Sequence, residues 1–353
     1  MPLDLRSDLL APASPAMLVA MTAAAAEPDG FGLREGRQQR ELENYAAGLL
    51  GKEDALLFPT CTMANLVAVM AQISSGDAIV ADSRSHCVLS EAGGISALAG
   101  GMVIGLEGDR GRLPLQRVVA LLQAEEDAQR PPVRLLVLET THNRSGGLPL
   151  PLDHIREAGK IASRHGAGLH IDGARFFNAA SAIGISPAEM AAPATSIAIS
   201  LNKGLGAPNG ALLVGTADLI DRALRLRQRL GGGLRPTSAV AAAGLVALQT
   251  MLPQLEVDHH HATELASLLR REGFRVHPEG GGTNILLVDL ELPEEGVAAF
   301  VEGVARRGVL VLPFEPGGVR LCLHCGIVAD ALPDVVAAFL ASRGEVEKGS
   351  SKQ

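Results

Sequence analysis

The 353 residues are 47% hydrophobic and 20% charged, which excludes a disordered chain and leaves room for one large domain and a smaller one. A net charge of −8 and 3% aromatic residues, with no Trp, argue against a general nucleic-acid binder, which needs a basic face and stacking platforms. No membrane span is expected, because polar residues interrupt every window of about 18 residues. Residues 1–21 lack the basic start and apolar centre of a signal peptide, and four cysteines make no disulfide framework. A reducing, cytoplasmic setting is the expectation.

In chain order, short apolar runs alternate with helical stretches from about residue 55 to 215. The strand candidates are "ALLFPT" (55–60), "DAIVAD" (77–82), "MVIGLE" (102–107), "VRLLVLETT" (133–141), "GAGLHID" (166–172), "SIAISL" (196–201) and "GALLVG" (210–215). Several lack alternation, as strands buried on both faces of a mainly parallel sheet do. Helical patterns at 62–72 and 152–166 supply crossovers, so the class is α/β.

Beyond 217 the pattern turns helical through "ADLIDRALRLRQRL", "SAVAAAGLVALQTML" and "HATELASLLRREG". Strands "NILLVDL" (284–290), "VLVLPF" (309–314) and "VRLCLHC" (319–325) then alternate with helices near 294–307 and 330–343. The division expected is residues 1–252, an N-terminal segment with the large domain, and 253–353, a smaller α+β domain with a frayed polar tail. "DHHHA" (258–262) reads as the start of a surface helix, "CLHC" (322–325) as part of a strand, and the Gly runs at 231–233 and 280–282 as turns or hinges. No metal site is expected from either His or Cys group.

In open α/β sheets ligands bind beyond the carboxyl ends of the strands, so those residues carry the chemistry. "TCTMAN" (60–65) opens a helix whose free N–H groups suit a phosphate, with the Thr62 hydroxyl beside them; an ordinary Thr cap reads the same way. His86 and Glu91 follow the second run, and either a structural or a catalytic histidine fits there. His142, Asn143 and Arg144 follow the fourth, where a solvated turn is the plain alternative. Asp172 ends an apolar strand and needs a cation, either Arg175 or a protonated pyridine nitrogen. Lys203 ends the next strand in "AISLNKGLGAP"; an amine in a dry site is biased toward its neutral, nucleophilic form. Phosphate site, carboxylate and lysine, in this order, are three handles for pyridoxal phosphate.

The chain resembles the low-specificity L-threonine aldolases, fold-type I pyridoxal-phosphate enzymes of the β-eliminating lyase group. The resemblance lies in "DLRSD" (4–8), "LENYAAGLLGKEDALLFPTCTMANL" (42–66), "EAGG" (91–94), "THNRSGG" (141–147), "LHIDGARFFNA" (169–179), "NKGLGAP" (202–208), "LGGGLRP" (230–236), "TNILLV" (283–288) and "VRLCLH" (319–324). It implies that Lys203 forms the Schiff base, that Asp172 pairs with the pyridinium, and that His86 stacks on the ring. It implies phosphate contacts from Thr62 and the Cys61 backbone, with Arg235 reaching the neighbouring subunit's site. Ser7, Arg175 and Arg320 would clamp the substrate carboxylate, Arg175 also lying by the cofactor. The implied activity is retro-aldol cleavage of β-hydroxy-α-amino acids to glycine and an aldehyde, with His86 or His142 as base, in a homodimer or homotetramer with shared sites. Against the family pattern, Cys61 replaces Gly, Asn202 replaces Ser, Thr140 replaces Asn, Phe31 replaces Tyr, Leu9 replaces Thr and Pro236 replaces Gln. These changes keep a related β-eliminating lyase, transaldolase or racemase in view; the non-enzymatic alternative is a Rossmann-like nucleotide binder or a cofactor-holding regulator without turnover.

Overall fold

A computed structural model gives the fold; the described residues are 2–124, 127–279 and 282–350. After β1 (Leu3–Asp4) come β2 (Asp54–Phe58), β3 (Ala78–Asp82), β4 (Met102–Leu106), β5 (Val133–Glu139), β6 (Gly168–Gly173), β7 (Ser196–Ser200) and β8 (Ala211–Gly215). β2 to β8 form one seven-stranded sheet in the order β2-β8-β7-β6-β5-β3-β4. From β4 to β7 all neighbours are parallel, while β8 runs against both β7 and β2. The turn from β7 to β8 is too short for a crossover, which forces that reversal. β3, β7 and β8 are buried at every position, hence their unbroken apolar sequences.

β9 (Arg275–His277), β10 (Ile285–Asp289), β12 (Leu312–Phe314) and β13 (Gly318–Cys322) make a second, antiparallel sheet ordered β12-β13-β10-β9. Between them in sequence, β11 (Val309–Leu310) pairs in parallel with β1. "VLVLPF" is therefore two strands rather than one, because Leu310 and Leu312 lie in ladders with different partners. The same pairing carries Leu5 into the hydrophobic core of the second sheet, although the sequence groups it with the large domain. "CLHC" is strand only as far as Cys322. The C-terminal helix runs Leu332–Ser350 and so takes in the start of the polar tail; residues 351–353, the rest of the stretch expected to fray, lie outside the described residues. Gly280 and Gly281 of the second Gly run lie outside the described residues.

"DHHHA" is the middle of the helix Leu252–Arg271, not its start. That helix gives Leu255 to the core of the large sheet and Ala262, Leu265 and Leu269 to the core of the small one. Asp258 lies between them, 0% exposed; Oδ1 accepts from Gln254 Nε2 at 2.9 Å and Oδ2 has no partner among the described residues. Burial pushes its carboxyl up to about 7. The folded chain thus holds a proton that the unfolded chain releases at lower pH. Stability falls as pH rises from the ordinary Asp value through about 7. Asp258→Asn is expected to raise stability at pH 8 by about 2 kcal/mol and to change little near pH 4, read by urea melts at both pH values. Equal effects at the two pH values would remove the titration argument.

Among the described residues no single helix is long and apolar enough to cross a membrane.

Candidate active site

Two adjoining cavities of about 270 and 140 Å³ open at the carboxyl ends of the central strands. Both are lined by Leu9, His86, Asp172, Ala174 and Lys203. The topology explains the meeting: β6 and β7 are parallel neighbours, and Asp172 stands opposite Ala198 in their ladder. Lys203 follows β7 in a tight turn closed by Gly206 N–H to Lys203 O (2.8 Å) and Ala207 N–H to Leu201 O (2.9 Å). Gly206 has φ +68°, which an L side chain rarely adopts, so glycine at this point lets the chain double back beneath the lysine.

Asp172 is 2% exposed, and Oδ1 accepts from Ala174 N–H at 3.2 Å. Among the described residues it has no salt-bridge partner. Arg175, the protein cation expected for it, is engaged elsewhere. Its Nε and Nη2 donate to the two carboxylate oxygens of Asp8 at 2.8 and 2.7 Å, inside the core. Burial alone would raise the Asp8 carboxyl, but the Arg175 guanidinium beside it holds it well below the usual range. This bidentate pair takes the fork that the sequence assigns to the substrate carboxylate, although Arg175 still lines the smaller cavity.

Arg320, from β13, also lines that cavity. Nη1 donates to Asn143 Oδ1 (2.8 Å) and Nη2 to the Arg6 carbonyl (2.9 Å), while the buried Nε has no partner among the described residues. Burial, with Arg175 nearby, lowers its pKa, the sign of a cation short of counter-charge. Ser7 lines the same cavity and caps the short helix Asp8–Leu10 through Oγ, which accepts from Leu9 N–H at 3.2 Å.

The helix Cys61–Met70 aims its N-terminus at the larger cavity. Its cap is Thr60, whose Oγ1 accepts from Met63 N–H at 3.1 Å. Thr62 lies in the first turn with its hydroxyl not needed for capping. Cys61 opens the helix in ordinary right-handed backbone, so the Gly-to-Cys change imposes no left-handed strain. Asn202 and Ser200 face the same space, Ser200 Oγ donating to Asn202 Oδ1 at 2.7 Å.

His86 begins the short helix His86–Leu89, and its Nδ1 lies 2.9 Å from Glu91 Oε1. That hydrogen bond raises the imidazole pKa against the opposing effect of burial. Burial and the nearby Asp172 charge raise Glu91 in turn. His142 is not at either cavity. Its ring is 1% exposed, with Nδ1 2.7 Å from Ser145 Oγ and Nε2 3.3 Å from Asp82 Oδ1, and Gly111 closes over it. Thr141 and Asn143 line the smaller cavity while the histidine between them turns away, so of the two candidate bases only His86 lines the cavities.

Glu139 escaped the sequence reading. It ends β5 opposite Asp172, accepts from His86 N–H (2.5 Å) and Asn143 N–H (2.8 Å), and lines the smaller cavity. Its position at a strand end was the available signal. Burial first, then the Asp172 charge, raises its pKa. Arg235 lies outside the site of its own chain: exposed, it donates to the Phe31 carbonyl at 3.1 Å and stacks over the 86%-exposed Phe31 ring.

Pyridoxal phosphate fits this donor set. A buried carboxylate without a cation matches a pyridinium N–H, a helix start with a spare hydroxyl matches a phosphate, and a half-buried lysine matches an aldehyde. A family profile described as beta-eliminating lyase matches residues 4–291. The chain is 39% identical over 344 residues to the low specificity L-threonine aldolase of Escherichia coli K12, covering 96% of this chain and 99% of that one. It is 35% identical over 341 residues to low-specificity L-threonine aldolase 1 of Arabidopsis thaliana, covering 95% of each. A threonine aldolase structure from Leishmania major superposes with a TM-score of 0.83 over 98% of this chain and all of that one, at 18% identity, a likeness of fold. The chain belongs to the beta-eliminating lyase family of pyridoxal-phosphate-dependent enzymes.

Proposed function

We propose that this protein is a carbon–carbon lyase that cleaves β-hydroxy-α-amino acids of the L-threonine or L-allo-threonine type to glycine and an aldehyde. The observation that carries this reading is the meeting of Lys203, Asp172, His86 and Arg320 around adjoining cavities. Its support from relatives is the 39% identity to an L-threonine aldolase across nearly the whole chain.

Each residue has a separate task. Lys203 would hold the cofactor through its amine, at the point where the two cavities meet. Asp172 keeps a proton on the ring nitrogen. Arg320 takes the substrate carboxylate with its unpartnered Nε and with Nη groups that exchange their present carbonyl partners, aided by Ser7. Bound pyridoxal phosphate supplies the electron sink for the pair released when the Cα–Cβ bond breaks. His86 accepts the β-hydroxyl proton, directly or through water, as the aldehyde leaves. Thr62 and the Cys61 N–H hold the phosphate.

The site is shared in a symmetric homo-oligomer, where the exposed Arg235–Phe31 pair of one protomer reaches the phosphate side of its partner. The four free cysteines suit a reducing cytoplasm. The test is a product assay on the purified holoenzyme with L-threonine, L-allo-threonine and phenylserine. Equimolar glycine and aldehyde is the expected result; release from none of the three would overturn the reading.

A further inference from the structure

A line of hydrogen bonds runs from His86 through the interior to the opposite end of the sheet. Glu91 Oε1 contacts His86 Nδ1 (2.9 Å) and accepts from Asn65 Nδ2 (3.1 Å). Asn65 Oδ1 meets His170 Nε2 (3.0 Å), His170 Nδ1 meets Ser196 Oγ (2.8 Å), and Ser196 Oγ accepts from Gln72 Nε2 (2.9 Å). Glu91, Asn65, His170 and Ser196 are all buried. His170 is two residues before Asp172 on β6, so both side chains share one face of the sheet, beneath the helix that carries Asn65.

The ends of this line fix its direction. Gln72 Nε2 also donates to the Ala68 carbonyl at 2.9 Å, which can only accept; that sets the amide orientation and gives its second hydrogen to Ser196. Ser196 then has its own proton for His170 Nδ1. His170 is neutral, because burial lowers its pKa to about 4 against the Asp172 charge and a contact with the Ser196 backbone, so it carries one N–H, which the Ser196 hydroxyl at Nδ1 directs to Nε2 and Asn65 Oδ1. Asn65 in turn gives an N–H to Glu91. At the far end a carboxylate collects the donors, His86 Nδ1–H among them. Every link has one donor and one acceptor, in a medium where an unmatched polar group is costly.

We propose that the chain Gln72–Ser196–His170–Asn65–Glu91 is a positioning device that holds the His86 imidazole in its Nδ1–H form and leaves Nε2 bare on the cavity side. Gln72, Ser196 and His170 line neither cavity, while Asn65 and Glu91 border the larger one; the chain acts through His86. The device deepens the reading of His86 as proton acceptor and rests on that reading for its purpose, although its geometry stands without it. The same chain demands opposite tautomers at its two histidines: Nδ1–H at neutral His86, Nε2–H at His170.

The test is nitrogen-15 NMR of the histidine-labelled holoenzyme, with signals assigned from His86→Gln and His170→Gln. At a pH above the raised His86 pKa, where that ring is neutral, the expected spectrum shows the two opposite tautomers. A His170 with its proton on Nδ1, or a neutral His86 with a bare Nδ1, would overturn the proposal whatever the enzyme's activity. His170→Phe, which cuts the chain with an apolar ring, is expected to give a mixed His86 tautomer. It should lower kcat about tenfold or more with KM within about twofold. His170→Gln, whose amide can still donate to Asn65, should restore kcat to within about threefold. Equal losses in the two variants, with the His86 tautomer unchanged, would reduce the chain to a packing feature and overturn the proposal. Opposite tautomers in a protein that cleaves no β-hydroxy amino acid would support the device while ending the substrate reading.

Discussion

Lys203→Ala is expected to cut aldehyde release by a factor on the order of 10³ or more, and to remove any visible cofactor band that borohydride bleaches. The size follows from what the lysine does. It would anchor the cofactor through its amine at the end of β7, so the reactive carbon would already be positioned when the amino acid arrives. The turn that carries Lys203 is closed by its own carbonyl and by Gly206, so alanine leaves the backbone bonds intact. The variant is therefore expected to fold with an unchanged melting curve, which separates lost chemistry from lost structure. Turnover within about tenfold of the parent would mean that position 203 is not the anchor.

Arg320→Lys is the second large effect. A rise in KM of about 30- to 100-fold is expected, with a smaller change in kcat, because an ammonium cannot give a carboxylate two parallel hydrogen bonds. The contrast is Arg175→Lys. Arg175 spends its fork on Asp8 in a fully buried pair, so damaging it should cost about 3 kcal/mol of stability before it alters KM. Steady-state kinetics and urea melts on both variants distinguish the roles. The reverse pattern, with KM moved by Arg175 and stability by Arg320, would return the carboxylate clamp to Arg175.

That pair also shows why the sequence alone could not divide the arginines. Asp8 and Arg175 are far apart in the chain and meet only because β1 joins β11, bringing residues 3–8 across the mouth of the site. A sequence reading sees an Asp near the start and an Arg after β6, but no reason for them to pair. Likewise His86 and His142 both follow strand ends. The backbone turn that sends His142 toward Asp82 and Ser145, away from the cavity, depends on packing against Gly111.

Local and periodic features were legible in the chain itself. Unbroken apolar runs announced strands buried on both faces, and the polar residues after them announced the rim where Asp172 and Lys203 lie. In the turn after β7, Lys203 is followed by Gly204, Leu205 and Gly206. The last of these, at φ +68°, supplies the backbone freedom that brings the lysine under the cavity.

Partnership came from long-range packing. Which arginine is free for a substrate, which histidine lines the cavity, and which buried carboxylates stand around Asp172 all depend on residues far apart in the chain. The physical reason is that a strand or a turn is set by neighbours within a few residues, whereas a buried charge or imidazole is set by whatever the folded chain places beside it.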